Sequence, residues 1–249
     1  MIILKSADEL KAMQRAGKVV AQAHALVREL VRPGATTWDL DRAVEEFILK
    51  QNAIPAFKGY QGYPASICTS VNEVVVHGIP SQEEVLEEGS IISVDIGAFV
   101  DGFCGDSAWT YPVGEISPDV QLLLDTTEEA LFQGIEQARV GNRLSDISHA
   151  VQRRAEERGF SVVRDFVGHG IGRQMHEAPQ IPNFGPPGRG PRLKSGMALA
   201  IEPMVNVGGY HVEVLADNWT VVTRDRSWSA HFEHTVAITD EGPVILTTL

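Results

Sequence analysis

Apolar residues recur at helical spacing in two stretches far apart in the chain. Ala16, Val19, Val20, Ala23, Val27 and Leu30 share one face, as do Leu123, Leu124, Thr127, Ala130, Leu131 and Ile135. Each stretch ends near a glycine, Gly34 or Gly141, and a second helix-like stretch begins just beyond it. The two junctions match. Gly34 to Val44 and Gly141 to Val151 both read glycine, four residues, aspartate, an aliphatic, two residues, Ala-Val. An internal duplication explains this, and so does helix grammar alone, with a glycine stop and an aspartate near the next start.

Strand-like runs follow each helix pair. In the first half they cover 65–71, 91–100 and 107–113; in the second they cover 161–166, 197–207, 220–223 and 232–239. The pattern predicts one α/β (α+β) domain over residues 1–249, built from two α-α-β-β halves at about 10–113 and 119–239. A site is expected at the seam between halves, where pockets preferentially form. The clearest loop runs from Ile181 to Pro191, rich in proline and glycine, directly after a histidine-bearing segment.

Composition narrows the partners. Thirty-three acidic against 21 basic residues give a net charge of −12, and no basic block offsets it. The mean field repels nucleic acid and suits a metal ion or a protonated amine. The apolar runs are strand-sized, well below the ~20 residues of a membrane span. Residues 1–11 lack the apolar block of a signal peptide, so a cytoplasmic location is expected. Cys68 and Cys104 stand alone, in neither a disulfide framework nor a CxxC motif.

The chemistry lies in four clusters. In Ile91-Ile92-Ser93-Val94-Asp95-Ile96-Gly97 a carboxylate interrupts an aliphatic strand, which is costly unless a cation meets it. Asp106 opens the next strand beyond an Asp101-Gly102 turn signal, so a hairpin brings Asp95 and Asp106 close. In Gly168-His169-Gly170-Ile171-Gly172-Arg173-Gln174-Met175-His176 two histidines stand among three glycines, where the backbone passes close to something. Glu202 lies in Ala198-Leu199-Ala200-Ile201-Glu202-Pro203-Met204, and Glu233 in Ala230-His231-Phe232-Glu233-His234. Each glutamate alone could pair with an arginine. Four strand-embedded carboxylates with histidines are explained together by two bound divalent cations. Oxygen ligands with one imidazole favour Mn, Fe, Co or Zn, and such an ion pair supports hydrolysis.

Taken in order along nearly the whole chain, these clusters resemble the type I methionine aminopeptidases of family M24, which have the pita-bread fold. The matching stretches also include Ala56-Phe57-Lys58-Gly59-Tyr60 and Ser70 to Pro80. The resemblance implies removal of the N-terminal methionine from nascent proteins, preferentially ahead of a small uncharged residue. It implies five ligands to two divalent ions (Co, Mn, Fe or Zn): Asp95, Asp106, His169, Glu202 and Glu233. Asp106 and Glu233 would bridge the ions, and a hydroxide would sit between them with Glu202 as general base. His77 and His176 would face the substrate as catalytic donors. Tyr60, Tyr63, Cys68 and Trp219 would line the methionine pocket, with Phe57 and Met175 near its mouth. Asn72, Val74 and Ser229 match a monovalent-cation site of some relatives.

Departures at Met175 and Phe57 bear on the second-residue preference and leave the ligands untouched. The chain begins close to its first helix, without a zinc-binding extension, and lacks the long insertion of the type II enzymes; the bacterial or organellar form is expected. The partners implied are N-termini of nascent chains, with transient ribosome contact, no nucleic-acid specificity, no membrane and a monomeric state. Rival readings are a proline-specific peptidase of the same fold, a binding protein that has kept the fold, and a phosphatase-like two-metal enzyme. Arg173 is the one basic residue inside the motifs, a poor fit to the last of these.

Overall fold

The computed structural model describes all 249 residues, Met1–Leu249. Four helices carry the expected periodicity: α1 (Ala7–Leu30), α2 (Thr37–Lys50), α3 (Pro118–Gln137) and α4 (Leu144–Glu157). α1 opens on a reciprocal cap in which Ser6 accepts from the Glu9 N–H and the Glu9 carboxylate accepts from the Ser6 N–H. The aspartate common to the two Gly-x4-Asp junctions has the same role in each. Asp39 accepts from the Thr36 N–H at 3.2 Å, and Asp146 from the Arg143 N–H at 2.7 Å. Helix grammar therefore fixes that aspartate, and the repeated order of helix, helix and sheet carries the duplication beyond it.

The longest hairpin pairs Ile91–Val100 with Phe103–Pro112. Its turn is Asp101-Gly102, with φ of 51° and 77°, both in the left-handed region that a two-residue hairpin loop requires. Asp106 is therefore the fourth residue of its strand and does not open it. Ile67–Val71 pairs with the other edge of Ile91–Val100 and sets Cys68 opposite Asp95.

The second half differs from the expected strands in an informative way. The run 197–207 divides into Ala198–Ile201 and Met204–Asn206, and the run 232–239 begins at His234, behind a separate strand Ser229–His231. The breaks fall at Glu202-Pro203 and Phe232-Glu233. Proline has no N–H for a ladder, so the pairing stops there. Ala198–Ile201 and His234–Thr239 belong to a five-stranded sheet; Met204–Asn206 pairs on one side with Ser229–His231 and on the other with Ser161–Val162 in a three-stranded one. Registers on both sides of the breaks agree, Ile201 with His234 and Met204 with His231. Glu202 and Glu233 thus face each other between two sheets.

Side chains join the halves across the centre. Thr110 Oγ1 accepts from the His231 N–H and donates to the His231 carbonyl. The Glu233 N–H donates to the Ala108 carbonyl at 2.8 Å, and Ser107 Oγ donates to the Glu233 carbonyl at 2.7 Å. Thr235 Oγ1 makes the same pair of hydrogen bonds with Asp106, accepting from its N–H and donating to its carbonyl. This seam lies alongside the Phe103–Pro112 strand and puts Asp106 diagonally beside Glu233.

Each half has its own core. Val20, Leu40, Val44 and Ile48 pack on Ile92, Val94 and Ile96. Leu123, Leu131, Ile147 and Val151 pack on Leu199, Ile201 and Val236. A third cluster, with Met13, Phe57, Tyr63, Ile171 and Met175, bridges the halves beside the seam. Fully burying one such side chain contributes about 1.5–3 kcal/mol. No helix is long and apolar enough to cross a membrane. The architecture is the pita-bread arrangement, duplicated α-α-β-β halves around central antiparallel strands.

Candidate metal centre and substrate cavity

A cavity of about 340 Å³ opens at the seam, and all thirteen side chains expected at the site line it. Asp95 and Asp106 come from the long hairpin; their backbones are diagonal neighbours on one face, because Asp106 pairs with Gly97 and Asp95 with Ala108. Glu202 and Glu233 come from the two strand breaks. His169 stands on Gly168–Gly170 between two neighbouring strands. A Cβ on Gly168 would overlap the Ala200 carbonyl, and one on Gly170 the Ala178 carbonyl. The glycines flanking His169 thus admit neighbouring backbone, with no phosphate required.

No lysine or arginine lines the cavity. Burial therefore acts on the carboxyls with no basic side chain of the lining to offset it. It pushes Asp106 up to about 7. It pushes Asp95, Glu202 and Glu233 well above the carboxylate range, with the charge of Asp106 adding to each. Asp95 Oδ1, Asp106 Oδ1 and Glu233 Oε1 are buried with no hydrogen-bond donor. Ligand atoms of Asp106, His169 and Glu233 lie within 4.8 Å of one another. Orphaned carboxylate oxygens facing one another, with no basic side chain to neutralise them, fit divalent cations.

His169 is held as a neutral ring. Its Nδ1–H donates to the Gly170 carbonyl at 2.9 Å, which leaves the Nε2 lone pair facing Glu202 at 3.5 Å and Asp106 at 4.0 Å. Burial, then the neighbouring His176, lowers its pKa to about 3.

The rest of the wall is apolar and aromatic. Tyr63 is buried, donates to the Ile67 and Gly78 carbonyls, and meets Trp219 edge-on at 5.0 Å. His77 stands edge-on to Phe166 at 5.5 Å and to Trp219 at 6.3 Å. Its φ of 60° is unusual for a non-glycine residue and puts local backbone strain at the site. Gly78 follows because a Cβ there would overlap the Thr69 carbonyl. His176 Nδ1 and the Tyr60 hydroxyl are 2.9 Å apart. Burial lowers the pKa of both histidines, that of His77 to about 4.

Phe57 and Met175 are buried, at 7% and 4% exposure, and line the cavity. Phe57 packs into the space that Gly97 leaves open. Gln61 and His176 are the exposed members of the lining.

Six lining residues were not anticipated: Gln61, Val76, Phe166, Val167, Met204 and His231. His231 lies two residues before Glu233, at the end of the strand Ser229–His231, across the break from it. Asn72 and Ser229, expected near a monovalent cation, are joined by a 2.9 Å bond from the Ser229 N–H to the Asn72 carbonyl.

Comparison with known proteins agrees with this geometry. Residues 11–240 match metallopeptidase family M24. The chain is 57% identical to the methionine aminopeptidase of Clostridium acetobutylicum and 58% identical to methionine aminopeptidase 1 of Bacillus subtilis, covering 99% of both partners in each case. The crystal structure of methionine aminopeptidase from Thermotoga maritima superposes with a TM-score of 0.99 at 50% identity, covering 100% of each chain. The chain belongs to metallopeptidase family M24, among its methionine aminopeptidases.

Proposed function

We propose that the chain excises the N-terminal methionine of nascent polypeptides whose second residue is small and uncharged, with two divalent ions of Mn, Fe, Co or Zn and Glu202 as general base. The observation that carries this is the convergence of four cation-free carboxylates and the His169 lone pair on one end of a cavity whose remaining wall is apolar and aromatic. When bound, the ions supply Lewis acidity that acidifies the attacking water and polarises the scissile carbonyl. Asp95, Asp106, His169, Glu202 and Glu233 would hold them.

The protein's own groups do the rest. Glu202, facing the cavity between His169 and His231, takes the proton of the water. With the Tyr60 hydroxyl donating to His176 Nδ1, the ring keeps its proton on Nε2 and offers it to the carbonyl oxygen as charge develops. His77, wedged between Phe166 and Trp219, holds the neighbouring amide. Tyr63, Cys68 and Trp219 receive the thioether side chain, with sulfur against aromatic faces. The aromatic walls around His77 and His176 leave little room beyond the methionine, which favours a small second residue. Substrate N-termini would arrive in transient contact with the ribosome, on a monomeric enzyme, with a monovalent cation near Asn72, Val74 and Ser229.

The test is hydrolysis of Met-Ala-Ser by metal-free protein with each metal added back, against Leu-Ala-Ser and Ala-Pro. Methionine release that requires metal is the expected result. Cleavage of Ala-Pro in its place moves the assignment to the proline-specific branch, and no cleavage with metal bound favours a binding role.

A further inference from the structure

We infer that His231 is a positioning residue for Glu202, holding the carboxylate so that one oxygen points at the attacking water. The inference rests on Glu202 being the base. His231 is 2% exposed and its backbone is fixed on both sides by Thr110 Oγ1, which accepts its N–H at 2.9 Å and donates to its carbonyl at 2.8 Å. The ring is thereby delivered into the cavity beside Met204, its partner across the strands. Its Nε2 is buried with no hydrogen-bond partner, a costly state for a polar atom.

The acceptor lies nearby. Only two basic nitrogens come within 4 Å of Glu202: His169 Nε2 at 3.5 Å from Oε1, and His231 Nε2 at 3.8 Å from Oε2. They are not equivalent. His169 gives its proton to the Gly170 carbonyl through Nδ1, so its Nε2 has none to donate. His231 Nε2 can donate. At 3.8 Å it stands just beyond a hydrogen bond, and a small turn about the broad terminal torsion of the glutamate closes the gap. A proton from His231 on Oε2 leaves Oε1 to face His169 and the metal ligands. Without it the carboxylate is free to rotate.

The experiment uses the full chain and three substitutions: His231→Leu, His231→Gln and His231→Asn. Gln reaches Oε2 with an amide donor; Asn is polar and too short. Loaded with Mn²⁺, the Leu and Asn variants are expected to lose about 10–100-fold in kcat, the range for groups that orient a metal ligand. KM for Met-Ala-Ser should stay within about threefold, since ground-state binding is untouched, and Gln should restore most of kcat. Calorimetric titration of metal-free protein with Mn²⁺ gives a readout independent of turnover. His231→Leu should weaken Mn²⁺ binding, and should weaken it less in a Glu202→Gln background, because the two residues act as a unit.

Unchanged kcat and Mn²⁺ affinity in His231→Leu, or fully additive losses with Glu202→Gln, overturn the inference. Equal activity of the Gln and Asn variants overturns it as well, and these two keep the test intact if Leu fails to fold. Failure of the underlying reading looks different: Glu202→Gln itself would keep full activity.

Discussion

The hydroxyl of Thr235 holds both backbone polar groups of Asp106, accepting from its N–H at 3.0 Å and donating to its carbonyl at 2.8 Å. Thr235 belongs to the second half and Asp106 to the first, so one side chain ties the halves and fixes the backbone of a carboxylate that lines the cavity. Both residues are buried. Thr235→Val keeps the volume and leaves a buried N–H unpaired, which costs about 1–3 kcal/mol. The metal-free protein should melt several degrees lower, with Mn²⁺ affinity reduced by calorimetry. An unchanged melting temperature would show that the seam does not depend on this bond.

Glu202 offers a cleaner separation of fold from chemistry. Glu202→Gln keeps size and hydrogen-bonding capacity and removes the basic oxygen. Turnover of Met-Ala-Ser should fall by about 10²–10⁴-fold, the usual contribution of a positioned base, while the circular-dichroism melt and most Mn²⁺ binding persist. Full activity in this variant would remove Glu202 from the base role and return the proton to another group.

The buried carboxyls also set a pH dependence. Asp106 is raised to about 7, and Asp95, Glu202 and Glu233 are raised well above their ordinary range, so the metal-free fold favours their protonated forms. Stability from this source is fully present below the unfolded carboxylate pKa and is lost as pH rises through the folded value, about 7 for Asp106. His169, already lowered to about 3, stays neutral throughout that window. Metal-free protein should therefore lose melting temperature relative to the Mn²⁺-loaded form between pH 5 and pH 8. Mn²⁺ binding near pH 6 should release protons, measured from calorimetry in buffers of different ionisation enthalpy. A constant gap across the range with no proton release would be incompatible with protonated carboxyls in the empty cavity.

Asp95 was legible because burying a carboxylate in an aliphatic run is expensive. Glu202 and Glu233 were found for the same reason and placed wrongly. The sequence places Glu202 in the middle of one strand and Glu233 near the start of another, whereas each sits where a strand breaks and changes sheet. Pro203 was the visible sign of one break. The helices were legible from their apolar faces, and the long hairpin from Asp101-Gly102. Short strands such as Val74–Val76, Gly168–Gly170 and Val212–Val214 were missed because three residues show no periodicity. Phe166 and Met204 reach the cavity only through packing between distant segments, which no local pattern records.

Tyr60 and His176 separate binding from transition-state stabilisation. On the proposed mechanism, with the hydroxyl on Nδ1 at 2.9 Å, loss of the imidazole removes a donor whose bond strengthens as the oxyanion forms. His176→Ala should lower kcat by about 10²–10³-fold and change KM far less. Tyr60→Phe removes only the partner that selects the tautomer, so its kcat should fall less than that of His176→Ala. If KM rises as much as kcat falls in His176→Ala, the histidine acts mainly in ground-state binding.

The loop that carries His176 is anchored from the N-terminus. Lys5 Nζ lies 2.5 Å from Glu177 Oε2, with the two side chains only 4% and 7% exposed. The same Glu177 also accepts from the Gln174 N–H, and the Lys5 N–H donates to the Gly196 carbonyl. Lys5 thereby clamps the segment between Gly172 and Glu177. Removing one partner of such a pair strands the other charge, a loss of about 3–5 kcal/mol, whereas replacing both with apolar groups is often neutral. Lys5→Met should destabilise strongly in urea unfolding, and Lys5→Met with Glu177→Leu should recover most of the loss. The double variant should fold and bind Mn²⁺ while kcat stays low, because the clamp that sets the position of His176 would be gone. Wild-type kcat in the folded double variant would reduce the pair to a stability element with no part in placing His176.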